Sequence, residues 1–216
     1  MSFDFRHHTA VFGGTFNPPH VGHVEAVKGL FKNPGVAETL IVPSFGTPQK
    51  TSDTSFSSRF EMTRLAFPDL TVSRVEEELK TQYTWQLLEV LSHNASRLAF
   101  VIGTDQFTQI ESWANFSNLM SMCDWIVLIR KPHQLDDFSA TLKKYCGDGW
   151  LQATTNSHEF VIKNGNRQLL CVETEAADLS STEIRKSFAL GKIKEVSELL
   201  PKNVFEFIER NHLYGT

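Results

Sequence analysis

Short apolar segments alternate with longer segments of helical periodicity along this chain. The clearest apolar segment, 97–102, carries almost no polar position after its first residue, as expected of a strand buried on both faces. The pattern predicts strands over 9–13, 39–42, 70–75, 97–102, 125–129 and 169–172. It predicts helices over 24–31, 57–67, 84–92, 138–145, 180–190 and 204–210.

Strands separated by helices indicate an α/β protein with a Rossmann-like, doubly wound parallel sheet and right-handed crossovers. No internal repeat, low-complexity tract or linker interrupts the sequence, so we expect one domain over 1–216 with a helical C-terminal part from about 180 to 216. Such sheets bind ligands beyond the carboxyl ends of their strands. Four segments of interest directly follow predicted strands: Gly13-Gly14, 43–50, 103–105 and Arg130.

The segment 13–23, GGTFNPPHVGH, follows the first predicted strand and opens the first predicted helix. Glycines at Gly13 and Gly14 let a ligand approach the backbone, because no Cβ intervenes. A helix start offers amide N–H groups and a partial positive charge to phosphate. His20 and His23, three residues apart, share one side of the first turn. This combination predicts a site that handles a nucleotide phosphate; the alternative is a tight turn with helix-cap histidines.

A second candidate phosphate site lies at the start of the predicted helix 180–190. Ser180 to Glu183 has the spacing of a capping box. Arg185 lies on the same face as Thr182, and its guanidinium can hold phosphate oxygens in a fork. Ser181 and Thr182 can add hydrogen bonds. The alternative here is an ordinary helix start.

The composition of the chain argues against two classes of binding partner, nucleic acids and membranes. Among 216 residues, 25 acids exceed 21 bases, and the net charge of −4 argues against a broad nucleic-acid surface. No apolar run approaches the ~20 residues of a membrane span, and the N-terminus lacks the apolar core of a signal peptide. Three scattered cysteines form no C-x-x-C motif and suggest free thiols in a reducing compartment. We therefore expect a cytoplasmic protein that binds neither nucleic acid nor membrane.

The segment 13–23 resembles the GGxFDPxHxGH signature of the HxGH nucleotidyltransferases, and in particular that of the bacterial nicotinate mononucleotide adenylyltransferases. Further segments are similar to that family in the same order over nearly the whole chain: Pro48-Gln49-Lys50, Tyr83-Thr84 with Leu87-Leu88, Ile102-Gly103-Thr104-Asp105 with Trp113, Leu179 to Arg185, and Leu200-Pro201 with Tyr214.

The resemblance implies an enzyme that joins ATP and nicotinate mononucleotide to give nicotinate adenine dinucleotide (deamido-NAD) and pyrophosphate in NAD biosynthesis, with Mg²⁺ carried by ATP. Adenylyl transfer of this kind needs positioned polyanions and stabilised charge rather than a covalent enzyme intermediate. Whether the enzyme forms a homo-oligomer is left open.

The resemblance also implies roles for individual residues. His20, His23 and Arg185 would be catalytic, with Thr182 and Arg185 on the β- and γ-phosphates. Asp105 would bind the ribose hydroxyls of the adenosine half, and Trp113 would stack on the pyridine ring. The implied ATP site comprises Gly13, Gly14, Thr15, Phe16, His20, His23, Lys50, Gly103, Asp105, Ser181, Thr182 and Arg185. The implied pyridine-nucleotide site comprises Asn17, Tyr83, Thr84, Trp113 and Arg130.

Two positions depart from the family pattern, since Asn17 stands where the family commonly has Asp and Gln49 where it often has His. Lys50 and Arg130 could equally be exposed cations that contact only solvent.

The acceptor could instead be nicotinamide mononucleotide or another phosphorylated small molecule. A non-catalytic nucleotide-binding protein with the same fold is the alternative from a different class.

Overall fold

The computed structural model describes residues 3–46, 54–93, 97–130, 135–175 and 179–215, without the side chains of 130 and 135–137. Within these residues eight strands form one sheet in the order β3-β2-β1-β4-β5-β8-β7-β6. The strands are Thr9–Gly14 (β1), Glu38–Pro43 (β2), Thr71–Val72 (β3), Leu98–Gly103 (β4), Asp124–Arg130 (β5), Leu151–Ala153 (β6), Glu159–Ile162 (β7) and Arg167–Thr174 (β8).

Helices cover both faces of the sheet. The α-helices are Val21–Lys32 (α1), Phe56–Ala66 (α2), Val75–Leu79 (α3), Thr84–Ser92 (α4), Thr104–Phe107 (α5), Phe116–Met122 (α6), Leu135–Gly147 (α7), Ser181–Ala189 (α8), Ile193–Ser197 (α9) and Lys202–Arg210 (α10). Short 3₁₀ turns occupy Ile110–Ser112 and Leu213–Gly215. None of these helices is both long enough and apolar enough to span a bilayer.

The predicted α/β class is confirmed: this is a single α/β domain with a mostly parallel sheet. β1 pairs in parallel with both β2 and β4, so the strand order reverses direction between β1 and β4. That reversal is the switch point at which doubly wound sheets bind ligands. Only β8–β7 and β7–β6 pair antiparallel among the described strands.

The core lies on both sides of the sheet, which explains the continuous apolar runs of the sequence. In β4, Ala99 and Val101 belong to one buried cluster, while Phe100 and Ile102 belong to the other. Successive strand residues point to opposite faces, so a strand that is covered by helices on both faces needs an apolar residue at every position.

One predicted strand is wrong in its bounds, and one hairpin was not predicted. The strand predicted over 70–75 is limited to Thr71–Val72, because Val75 already begins α3. The hairpin formed by β6 and β7 has no predicted counterpart, since these strands are only three and four residues long and sit at the sheet edge.

Candidate functional site

A cleft of about 1180 Å³ opens at the carboxyl ends of β1, β2 and β4. The helix starts of α1, α4 and α8 border the same space. It collects most residues that the sequence singled out: Gly13, Gly14, Thr15, Phe16, Asn17, His20, His23, Tyr83, Thr84, Gly103, Asp105, Trp113, Ser181, Thr182 and Arg185.

The turn after β1 is built around a buried aromatic ring. Phe16 has a positive φ of 48° and is 1 % exposed, and its ring packs near those of Phe67 and His23. A Cβ on Gly14 would lie 2.9 Å from this ring, so residue 14 has to be glycine for the turn to close. The Phe16 side chain therefore packs between the turn and the core. A ligand in the cleft can reach mainly the backbone of Phe16.

His20 and His23 form a stacked pair at the start of α1. Their ring centroids are 3.7 Å apart with an interplanar angle of 30°. The backbone N–H of His20 donates to Nδ1 of His23 at 3.2 Å. Because Nδ1 is the acceptor, the proton of a neutral His23 ring is on Nε2, where it can be donated to a ligand.

Two amides at this helix start already have acceptors. The N–H of Val21 donates to the carbonyl of Leu199 at 3.0 Å, and the N–H of His23 donates to the carbonyl of His20 at 2.9 Å. The expectation that the α1 start presents unpaired amides is therefore wrong for Val21 and His23.

The start of α8 is tied to the loop that precedes α1. Nη1 of Arg185 donates to the carbonyl of Asn17 at 2.6 Å, and Oγ of Ser181 donates to the carbonyl of Pro18 at 2.9 Å. Nη2 of Arg185 lies 3.4 Å from Oγ1 of Thr182. These bonds bring a guanidinium from far downstream to the loop that precedes α1, in the cleft that the histidine pair also lines. A guanidinium has further N–H donors for a phosphate.

The capping box predicted over 180–183 is wrong. Ser180 is the residue before α8, but its side chain makes no capping bond. Glu183 instead pairs with Lys186 at 2.7 Å on the exposed surface. Because Ser181 and Arg185 bind the neighbouring loop, the geometry of the α8 start is fixed by tertiary contacts.

The other end of the cleft is polar on one side and aromatic on the other. Asp105 is exposed in the first turn of α5, where Gly103 is the N-cap, so a capping role for Asp105 is excluded. Trp113 packs edge-on against Phe100 with ring centroids 6.3 Å apart. Tyr83, which precedes α4, is 43 % exposed and lines the cleft on the same side.

Sequence reasoning missed Arg59, a buried cation in α2. It is 3 % exposed, and Nη1 donates to the carbonyls of Thr15 at 2.9 Å and Ser44 at 2.8 Å. Burial lowers the pKa of this guanidinium. Arg59 therefore joins the loop after β1 to the loop after β2. The sequence does indicate this burial, because helical spacing places Arg59 on the same face of α2 as Met62, Thr63 and Ala66, which are all buried.

Glu76 accompanies Arg59 beneath the same loop. Its Oε2 accepts from the N–H of Phe45 at 2.9 Å. Burial raises the pKa of this carboxyl to about 7, against the lowering effects of that hydrogen bond and of Arg59. A carboxyl that titrates near neutrality thus lies at the wall of the cleft.

Two predicted site residues cannot be placed from the structure. Lys50 lies outside the described residues, and Arg130 is described only as the last backbone position of β5. Among the described residues, no group of three or more His, Cys, Asp or Glu side chains is arranged to hold a metal ion.

Comparison with known sequences identifies relatives along most of the chain. The model of the cytidylyltransferase-like family matches residues 11–187. A probable nicotinate-nucleotide adenylyltransferase of Pectobacterium atrosepticum is 29 % identical over 215 residues, covering 95 % of this chain and 98 % of the relative. A protein of the same name from Desulfatibacillum aliphaticivorans is 28 % identical over 214 residues, covering 94 % and 98 %.

Solved structures share the fold at lower sequence identity. The nicotinic acid mononucleotide adenylyltransferase of Plasmodium falciparum, complexed with NaAD, superimposes with a TM-score of 0.73 at 17 % identity, covering 96 % of this chain and 97 % of that one. A putative nicotinate-nucleotide adenylyltransferase from Vibrio parahaemolyticus gives 0.58 at 18 % identity, with 96 % and 94 % covered.

Proposed function

Since the chain belongs to the cytidylyltransferase-like family, we propose that it transfers the adenylyl group of ATP to nicotinate mononucleotide. A phosphate oxygen of the mononucleotide attacks the α-phosphorus of ATP, the bond to the β-phosphate oxygen breaks, and pyrophosphate leaves. The products are nicotinate adenine dinucleotide and pyrophosphate, a step of NAD biosynthesis. The observation that carries the proposal is the convergence of His20, His23 and Arg185 on one cleft. Relatives named as probable nicotinate-nucleotide adenylyltransferases match this chain over nearly its whole length and support it.

The stacked imidazoles suit the stabilisation of charge on the transferring phosphoryl group. Donors that are fixed before the reaction cost no reorganisation when charge develops, which is the usual source of a large rate gain. His23 is oriented through its Nδ1 by the His20 backbone, so its second ring nitrogen is held in a defined direction. In this proposal His20 and His23 donate to oxygens on the α-phosphorus.

The guanidinium of Arg185 is placed to bind the pyrophosphate that leaves in the reaction. Its bond to the Asn17 carbonyl fixes the guanidinium relative to the loop after β1. The remaining N–H donors can bind β- and γ-phosphate oxygens, with Thr182 and Ser181 beside them. Gly13, Gly14 and Thr15 leave the backbone of the loop accessible to the same triphosphate.

The far end of the cleft suits the two nucleosides. The exposed carboxylate of Asp105 can accept from ribose hydroxyls of the adenosine half, and Gly103 leaves room for the sugar. The faces of Trp113 and Tyr83 suit a planar, electron-poor pyridine ring, with Thr84 at the start of α4 near its carboxylate. Lys50 and Arg130 stay part of the proposal as additional phosphate-binding cations.

Mg²⁺ enters this proposal with ATP. The ion prefers phosphate and water oxygens, keeps several waters and needs no dedicated protein cage. Bound to ATP, it would supply positive charge for the triphosphate, while His20, His23 and Arg185 are the groups that this chain itself contributes.

A cytoplasmic location also stays part of the proposal, and all three cysteines carry free thiols.

The test is the steady-state rate of pyrophosphate release from purified protein with ATP and Mg²⁺, using nicotinate and nicotinamide mononucleotides side by side. We expect turnover with nicotinate mononucleotide, formation of the dinucleotide and loss of both on chelation of Mg²⁺. Faster turnover with the amide or with another phosphorylated acceptor would correct the substrate. Binding of ATP without turnover with any acceptor would overturn the proposal in favour of a non-catalytic nucleotide-binding protein.

A further inference from the structure

Tyr214, near the C-terminus, reaches the loop after β1. It lies in the 3₁₀ turn Leu213–Gly215, and its ring stacks on that of Phe188 in α8 with centroids 5.7 Å apart. The hydroxyl donates to Oδ1 of Asn17 at 2.5 Å. Asn17 is 6 % exposed, so this bond joins the C-terminal segment to a buried amide at the wall of the cleft.

The direction of this bond follows from the surroundings of the phenol. Burial raises the pKa of Tyr214 to about 12, so the hydroxyl keeps its proton at neutral pH. A side-chain hydrogen bond with Thr54 opposes that rise. Because an amide oxygen accepts and cannot donate, the phenol proton of Tyr214 lies toward Oδ1 of Asn17. The amide is held in one orientation, with Nδ2 on the side away from Tyr214.

Asn17 is held from two directions. Tyr214 binds its side chain, while Nη1 of Arg185 binds its carbonyl at 2.6 Å. His20 follows only three residues later. A shift of Asn17 would therefore move the anchor of Arg185 and the entry to the histidine pair together.

We propose that Tyr214 is a positioning residue for the adenylyl transfer, acting through Asn17. Through Asn17 the phenol holds the loop after β1 against the C-terminal segment. The same residue receives the Arg185 guanidinium on its carbonyl, so Tyr214 fixes the position from which Arg185 and the start of α1 face the cleft. This inference rests on the proposed function.

The first test removes the phenol hydroxyl with Tyr214→Phe and compares it with Tyr145→Phe. Tyr145 is the matched control, because its buried hydroxyl donates to a single acceptor, the Phe107 carbonyl at 3.3 Å, outside the cleft. We expect Tyr214→Phe to lower kcat about tenfold with KM for both substrates within about twofold, as for a small misalignment of the reacting groups. Tyr145→Phe should retain the wild-type kcat.

The second test asks whether Tyr214 acts through Asn17. Asn17→Ala and the double variant with Tyr214→Phe are measured in the same assay. If the two residues act as one unit, the double variant loses no more kcat than Asn17→Ala alone. Asn17→Ser, which also lacks the amide, replaces Asn17→Ala should the latter not fold.

Two outcomes would overturn the inference: a wild-type kcat in Tyr214→Phe, or losses in the double variant that multiply independently. Its failure can be told apart from failure of the proposed function. An active wild-type enzyme with an unaffected Tyr214→Phe rejects only the role of Tyr214, whereas an inactive wild-type protein rejects the adenylyl transfer itself.

Discussion

At the scale of single residues, this site depends on polar groups that are oriented by neighbours before a ligand arrives. Nδ1 of His23 accepts from the His20 backbone, and the carbonyl of Asn17 accepts from Arg185. Each bond fixes the orientation of one side chain, the His23 imidazole in the first case and the Arg185 guanidinium in the second. Such preorganisation is what a donor to a transferring phosphoryl group requires.

We predict that His23→Ala lowers kcat by on the order of 10²-fold or more, because it removes a donor aimed at charge that develops during transfer. Steady-state rates of pyrophosphate release with saturating ATP measure the effect. His7→Ala is the matched control, since His7 is exposed and does not line the cleft. Near-normal turnover in the His23 variant would remove that imidazole from the chemistry.

At the scale of elements, α2 and α3 hold the loop after β2 against the loop after β1. Arg59 in α2 donates to carbonyls of both loops, and Glu76 in α3 accepts from the Phe45 N–H. Both side chains are buried, and the charge of each shifts the pKa of the other. The cleft wall is thus held by hydrogen bonds from buried side chains of two helices to the two loops.

We predict that Glu76 makes the protein less stable as the pH rises. The pKa of Glu76 is about 7 in the folded protein against an ordinary value of 4.5, so the folded state binds more protons between these two pH values. The contribution of Glu76 to stability is therefore fully present below about pH 4.5 and is lost as the pH rises through about 7. The loss amounts to about 3 kcal/mol at most.

Urea unfolding between about pH 5 and about pH 8 measures this slope in wild type and in Glu76→Gln. The glutamine can still accept from the Phe45 N–H but does not titrate. As the pH rises, the free energy of unfolding should therefore fall less in Glu76→Gln than in wild type. Glu78→Gln, an exposed change in the same helix, should keep the wild-type slope. A Glu76→Gln slope equal to that of wild type would contradict the prediction.

At the scale of the whole molecule, the cleft spans the switch point of the sheet. One wall comes from the loop after β1, with Gly13 to His23, and another from the end of β4, with Gly103 and Asp105. The C-terminal part borders the space through Arg185, while Tyr214 contacts the cleft-lining residue Asn17 from behind. A dinucleotide lying in this cleft would contact the first, the middle and the last parts of the chain at once.

We predict that nicotinate adenine dinucleotide raises the melting temperature. A ligand that binds only the folded state at about 100 times its Kd stabilises by about 2.7 kcal/mol, or about 5 °C or more for a chain of this length. Thermal unfolding with and without the dinucleotide measures the shift. Asp105→Ala should reduce it, whereas Asp148→Ala, an exposed change outside the cleft, should not. An unchanged shift in Asp105→Ala would exclude that carboxylate from the site.

Much of this architecture could be read from local patterns. The runs that became β1, β4 and β5 are apolar at successive positions because helices cover both faces, and periodicity reports such burial directly. Helices such as α4 and α10 were predicted from the spacing of their apolar residues for the same reason. The short β6–β7 hairpin and the capping of α8 did not, because edge pairing and loop contacts depend on partners distant in sequence.

The sequence by itself determined the class of fold, the switch-point location of the cleft and many of the residues that line it, because buried strands and the loops that follow them are visible in the type and order of residues. Only the tertiary structure decided how those residues are held. The bonds from Arg59 to Thr15, from Arg185 to Asn17 and from Tyr214 to Asn17 join positions 44, 168 and 197 residues apart. Hydrogen bonds of that span arise from chain packing, so no local pattern specifies them.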